Sequence, residues 1–196
     1  LAPEYDLLYT PRYIQERGLN HELQARYLDP KQGTWLLGGS YLPQDEQFEA
    51  DFPNAGSADR WLARVKHNGL YNQRWRSRID YTEVSDVNFI RDLETSSLET
   101  RREVNLLQLA SLDYLGDDWL VNVEAQRFQS LADDIRNDYK KLPQITLRRR
   151  SDREPFRFDP IVLVQYSNFD SSEDLVVGQR LYAEAGVAYP MLWESG

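Results

Sequence analysis

Apolar and polar side chains alternate with period two over segments of ten residues and more, a pattern that suits a long strand with two different faces and no helix. Leu19, Leu23, Ala25 and Tyr27 fall on one side of such a strand, with Asn20, Glu22, Gln24 and Arg26 on the other. Trp75, Ile79 and Tyr81 oppose Arg76, Arg78 and Asp80 in the same way, and Trp119, Val121, Val123 and Ala125 oppose Asn122, Glu124 and Gln126. The rhythm predicts strands at residues 4–14, 19–28, 34–43, 59–69, 74–85, 101–114, 119–130, 142–150, 156–169 and 177–190. Helical periodicity is hard to find.

Register tests this reading, because antiparallel partners must present side chains to the same face. Closing the chain around Glu16 and Arg17 opposes Tyr13 to Leu19, Tyr9 to Leu23, Leu7 to Ala25 and Tyr5 to Tyr27. Closing it around Lys31 opposes Tyr27 to Trp35 and Ala25 to Leu37. Closing it around Asn72 opposes Gly69 to Trp75, Val65 to Ile79 and Ala63 to Tyr81. One apolar face therefore runs across neighbouring hairpins.

Short connections at 29–33, 70–73, 115–118 and 151–155 alternate with longer polar ones at 44–58, 86–100 and 131–141 and a moderate one at 170–176. Only the first hairpin, 15–18, puts a short connection on the long-loop side. A soluble sandwich has no reason to collect its long loops at one end, whereas a transmembrane β-barrel has short periplasmic turns and long outer loops. The strands also exceed the usual five or six residues and match a tilted membrane crossing. The expected fold class is all-β, an antiparallel up-and-down transmembrane barrel.

Composition removes other classes. Lys plus Arg is 23 against 32 Asp plus Glu, a net charge of -9, so a chain-wide grip on nucleic acid is not expected. Cysteine is absent, which excludes thiol nucleophiles and Cys-ligated metals within this sequence. His21 and His67 are the two histidines, and no metal or Ser-His-Asp spacing surrounds them, so both read as structural or interfacial. No catalytic residue, metal or cofactor is expected. There is no run of about 18 apolar residues for a membrane helix, and a mean hydropathy of -0.67 does not speak against a barrel, whose alternating faces hide from hydropathy windows.

Several short pieces carry a resemblance. Ala2-Pro3-Glu4-Tyr5-Asp6 with Leu8-Tyr9-Thr10-Pro11-Arg12-Tyr13, then Arg26-Tyr27-Leu28, Tyr41-Leu42-Pro43, Arg60-Trp61-Leu62, His67-Asn68-Gly69, Asp80-Tyr81-Thr82-Glu83-Val84-Ser85-Asp86, Asn88-Phe89 and Arg91-Asp92-Leu93 follow one another in order. Together they resemble the start of the barrel domain of the lipopolysaccharide-assembly outer-membrane protein family LptD, also called organic solvent tolerance proteins. Beyond Glu94 the likeness is looser, carried by Leu142-Pro143-Gln144 and the strand rhythm. The resemblance implies a bacterial outer-membrane barrel that inserts lipopolysaccharide into the outer leaflet. It also implies the lipoprotein LptE in the lumen and a periplasmic lipopolysaccharide-transport bridge reached through an N-terminal jelly-roll domain. Residues 1–196 are then expected to be the N-terminal portion of a larger barrel, with the jelly roll and further strands outside this chain. Two other classes stay open: a soluble β-rich carbohydrate-binding module, and a complete small outer-membrane barrel enzyme.

Particular residues follow. Pro11 interrupts the first strand, where a missing N–H is tolerated only at edges and bulges. By resemblance it weakens pairing between first and last strands and so forms a lateral gate. On the polar face, Arg64, Lys66, Arg76 and Arg78 form a patch in which the counted register sets Lys66 opposite Arg78 and Arg64 opposite Asp80. Either Asp80 and lumen glutamates balance these cations or they attract sugar-linked phosphates. Asp133, Asp134, Asp138, Asp45, Glu46, Glu49 and Asp51 are solvated loop acids or ligands of divalent cations, in no EF-hand spacing. Trp35, Trp61, Trp75, Trp119 and Tyr81 are expected on the non-lumen face, the tryptophans near the membrane boundaries. The first and last strands must pair with each other or with strands outside this sequence.

Overall fold

The computed structural model describes residues 4–93, 105–131, 140–149, 159–171 and 177–188. Ten antiparallel strands form one sheet in sequence order: β1 Tyr5–Ile14, β2 Gly18–Asp29, β3 Gly33–Leu42, β4 Arg60–Tyr71, β5 Trp75–Val84, β6 Asn105–Leu115, β7 Trp119–Ser130, β8 Lys140–Arg149, β9 Asp159–Asp170 and β10 Gly178–Ala188. The up-and-down expectation holds throughout the described residues. In this sheet order β1 neighbours β2 and β10 neighbours β9, so the sheet is open at both ends and compatible with part of a barrel.

The first two hairpins adopt the counted registers, with Tyr13 opposite Leu19, Tyr5 opposite Tyr27 and Tyr27 opposite Trp35. The third departs by two residues: Tyr71 pairs with Trp75, Val65 with Tyr81 and Lys66 with Asp80. The expected pairs Lys66 with Arg78 and Arg64 with Asp80 are therefore wrong, and Arg78 faces Asn68 while Arg64 faces Thr82. Asn72 and Gln73 both adopt left-handed backbone, φ 49° and 57°, and the Arg74 N–H closes on the Tyr71 carbonyl at 3.0 Å. That tight turn lets β4 run on through Leu70 and Tyr71. A two-residue shift keeps every side chain on its face.

The faces are inside-out relative to a soluble protein. Polar Asn20, Glu22, Gln24 and Ser40 are buried, while Leu7, Leu23, Leu37 and Tyr13 are exposed, Tyr13 by 75%. Trp35 shares a face with Tyr27 and His67, Trp61 with Tyr41, Trp75 with Tyr71 and Tyr114, and Trp119 with Val121. These four tryptophans and Tyr81 thus lie on the apolar face, and the four lie within three residues of a strand end.

Two of the long connections, polar stretches in the sequence, contain regular structure. They carry short helices, α1 Glu46–Asp51 and α2 Phe89–Leu93. Phe89 and Leu93 pack with Leu42, Leu62, Val84 and Leu106 into a small apolar core at the long-loop end. Leu42, Leu62 and Val84 stand on the otherwise polar face, where they would be misplaced without α2 to cover them.

Candidate functional site

Three structures bear on function: the free edge of β1, the cationic patch and the covered long-loop end. At the edge, the Leu28 N–H donates to the Glu4 carbonyl at 2.7 Å. Ladder bonds in an antiparallel pair recur at every second residue, so Asp6, Leu8, Thr10, Arg12 and Ile14 bond to β2. Tyr5, Leu7, Tyr9, Pro11 and Tyr13 aim their backbone groups the other way, at the free edge. Pro11, opposite His21, therefore costs the β1–β2 ladder nothing and removes one donor from the row that a closing strand would meet. His21 itself stacks against Tyr9, whose hydroxyl lies 2.7 Å from its Nδ1.

The patch residues Arg64, Lys66, Arg76 and Arg78 do share the polar face, each with a neighbouring carboxylate or polar partner across the ladder. Arg76 Nε reaches Asp113 at 2.8 Å, while Lys66 and Arg78 both approach Asp80, at 3.9 and 3.8 Å. Asn122 donates to the other Asp113 oxygen at 2.7 Å. Two acids, Asp80 and Asp113, thus offset part of the charge of the four cations, while Arg76 and Arg78 keep more than half of their side-chain surface open to solvent.

At the long-loop end Arg60 is fully buried. Its Nε and Nη2 donate to Asp86 at 2.9 and 2.8 Å in a two-point clamp, and Nη1 donates to Asp45 at 3.0 Å and Asp92 at 3.2 Å. The guanidinium also lies 4.4 Å from the Phe48 ring centre, so its weakly hydrated face is covered by an aromatic ring. Asp45 is the N-cap of α1, accepting from the Phe48 N–H at 3.0 Å, and also accepts from Arg17 at 2.8 Å. Burial works against its charge, but the Phe48 N–H, Arg60 and Arg17 outweigh it and hold the carboxyl below the usual aspartate range.

Sequence reading singled out Asp45 as a loop acid and missed this network. The pattern Asp45-Glu46-Gln47-Phe48, an N-cap ahead of a short amphipathic turn, is the signal that was available. Asp133, Asp134 and Asp138 lie outside the described residues. Among the described residues no group of three His, Cys, Asp or Glu is arranged to hold a metal ion.

Comparison with known proteins bears directly on the family. The model of the family described as LPS transport system D matches residues 58–196. The LPS-assembly protein LptD of Vibrio vulnificus strain YJ016 is 35% identical over 201 residues, covering 97% of this chain and 24% of that protein. Its counterpart in Pseudomonas syringae pv. tomato is 32% identical, covering 100% of this chain and 23% of that protein. That of Shewanella frigidimarina is 33% identical over 77% of this chain. The chain spans about a quarter of the length of the first two relatives. With its ten-stranded meander and a family match over most of its length, the chain belongs to the LptD family.

Proposed function

We propose that these ten strands are the N-terminal portion of an outer-membrane barrel that inserts lipopolysaccharide into the outer leaflet. The observation that carries the reading is the inside-out sheet: an exposed apolar face with tryptophans near its strand ends, backed by buried polar side chains. Such a face suits lipid with aromatic anchors at the boundaries. The open edges of β1 and β10 support the larger barrel, because an unpaired backbone N–H or C=O in hydrocarbon costs several kcal/mol. Further strands outside this chain supply the missing pairs, and a periplasmic jelly roll precedes them.

The partners in this reading are lipopolysaccharide, LptE in the lumen, and the periplasmic bridge that reaches the barrel through the jelly roll. Arg64, Lys66, Arg76 and Arg78 are the cations a lipid phosphate would meet on the polar face, with Asp80 and Asp113 offsetting part of their charge. No catalytic residue and no cofactor is assigned.

Pro11 is the lateral gate. Its nitrogen faces the free edge, so the closing strand finds no donor there and that seam is the weakest in the barrel. Replacing it by Ala in the full-length parent adds one ladder bond, of about 0.5–1.5 kcal/mol. Cells carrying Pro11→Ala should show less surface lipopolysaccharide and greater sensitivity to detergent. Unchanged surface lipopolysaccharide would return Pro11 to an ordinary edge proline.

A further inference from the structure

We infer that Arg17 and Arg12 pin the outer end of β1 to the covered long-loop end, so that the free edge opens from the opposite, short-turn end and hinges near the β1–β2 turn. The inference deepens the gate reading and rests on it. Arg17, in the turn after β1, donates to Asp45 at 2.8 Å and lies 3.9 Å from Asp92. Both acids are also held by Arg60, so one side chain at the tip of the first hairpin is tied to both helix-bearing loops. Arg12 adds a second tie, donating to the carbonyl of Leu93 at the end of α2. These contacts reach across 28 and 81 residues of chain, and they fall on the outer third of the strand and its turn.

The anchor itself is stiff. Arg60 is fully buried, and four hydrogen bonds run from it to three aspartates. The apolar core of Leu42, Leu62, Val84, Phe89 and Leu93 lies in the same covered end. Ties of this kind raise the cost of local opening where they attach and leave the remainder of a strand to its ladder bonds. On the polar face of β1 the side chains at the other end, Asp6 and Leu8, are exposed, whereas Thr10, Arg12 and Ile14 towards the pinned end are half-buried. Pro11 lies between the two regions, next to Arg12. The donor gap therefore sits where the pinned segment ends.

Amide hydrogen exchange on the full-length parent in lipid nanodiscs tests this. Amides of residues 12–18 should exchange at least tenfold more slowly than those of residues 5–9. Arg17→Gln should erase most of that difference by speeding residues 12–18, while Arg17→Lys restores part of it and the β4–β5 hairpin is unchanged in both. Exchange that is uniform along wild-type β1, or a gradient indifferent to Arg17→Gln, overturns the hinge. The gate is read separately by surface lipopolysaccharide in Pro11→Ala: an exchange gradient abolished by Arg17→Gln supports the anchoring even where Pro11→Ala has no effect.

Discussion

The indole of Trp35 lies on the imidazole of His67, ring centres 3.9 Å apart and planes 25° from parallel, and with its neighbours it covers that ring on an otherwise apolar face. His67 Nδ1 lies 3.0 Å from the Thr34 carbonyl, which only accepts, so this nitrogen carries a proton, while Nε2 lies 2.6 Å from the Ser77 hydroxyl and 3.2 Å from that of Tyr71. A polar ring on this apolar face is tolerable on these terms, because both nitrogens are satisfied and an aromatic plane shields it.

Trp35→Ala in the full-length parent should therefore uncover His67 and lose the stacking, which contributes about 0.5–1.5 kcal/mol beyond simple burial. Trp35→Phe should recover most of it. Urea midpoints of the barrel in bilayers measure the difference, and equal midpoints for Ala and wild type would mean that the stack contributes nothing.

Gly33 closes the β2–β3 turn with φ +86°, and a Cβ there would sit 2.1 Å from the Asn68 carbonyl oxygen and 2.6 Å from Gly69 Cα. Both of these atoms are β4 backbone, so there is no flexible side chain to yield. Gly33→Ala should cost more than the roughly 1–3 kcal/mol of a left-handed non-glycine residue, seen as a marked fall in folded barrel on unheated gels. Gly56→Ala, at φ +77° with open space around it, should show the backbone penalty alone.

The covered long-loop end should also respond to acid in a defined direction. Asp45 titrates below its ordinary value of 3.8 in the folded chain. Its contribution is thus fully present above that value and is lost as pH falls through the lower folded pKa. Arg60 and Arg17 stay protonated throughout, and Asp86 and Asp92 share the network. Limited proteolysis within residues 44–58 should be slow from neutral pH down to about 4 and should accelerate below it. Asp45→Asn should move that acceleration to neutral pH.

Much of the architecture was legible because strand alternation and hairpin register are both period-two signals, and each checks the other. Tyr5 opposite Tyr27 follows from counting residues alone. The third hairpin could not be counted correctly, since nothing in the composition of Asn72 and Gln73 distinguishes a turn of three residues from one that swallows Leu70 and Tyr71. Arg60 was hidden for a different reason. Its partners Asp45, Asp86 and Asp92 are 15, 26 and 32 residues away in sequence, Arg17, which shares Asp45 with it, is 43 away, and only folded loops bring them together. Leu42, Leu62 and Val84 break the alternation at the ends of their strands, and their place on the polar face makes sense only once α2 is known to fold over it.

The β5–β6 ladder gives the last prediction. It pairs residues 75–81 and then stops, short of the end of β5 at Val84. Glutamines fill the resulting gap. Gln129 accepts from the Val84 N–H at 2.9 Å and donates to the Val84 carbonyl at 2.8 Å, while Gln108 donates to the Thr82 carbonyl at 3.2 Å. An amide side chain carries one acceptor and two donors, so Gln129 replaces both bonds of a missing ladder partner at once. Gln129→Leu fills similar space but leaves two backbone groups without partners, a cost of about 1–3 kcal/mol for each. Gln129→Glu keeps the acceptor and loses the donor, setting a carboxylate against the Val84 carbonyl, and should fall between wild type and Leu. Urea unfolding of the full-length barrel ranks the three, and an Leu variant as stable as wild type would mean that water or β6 closes the gap without Gln129.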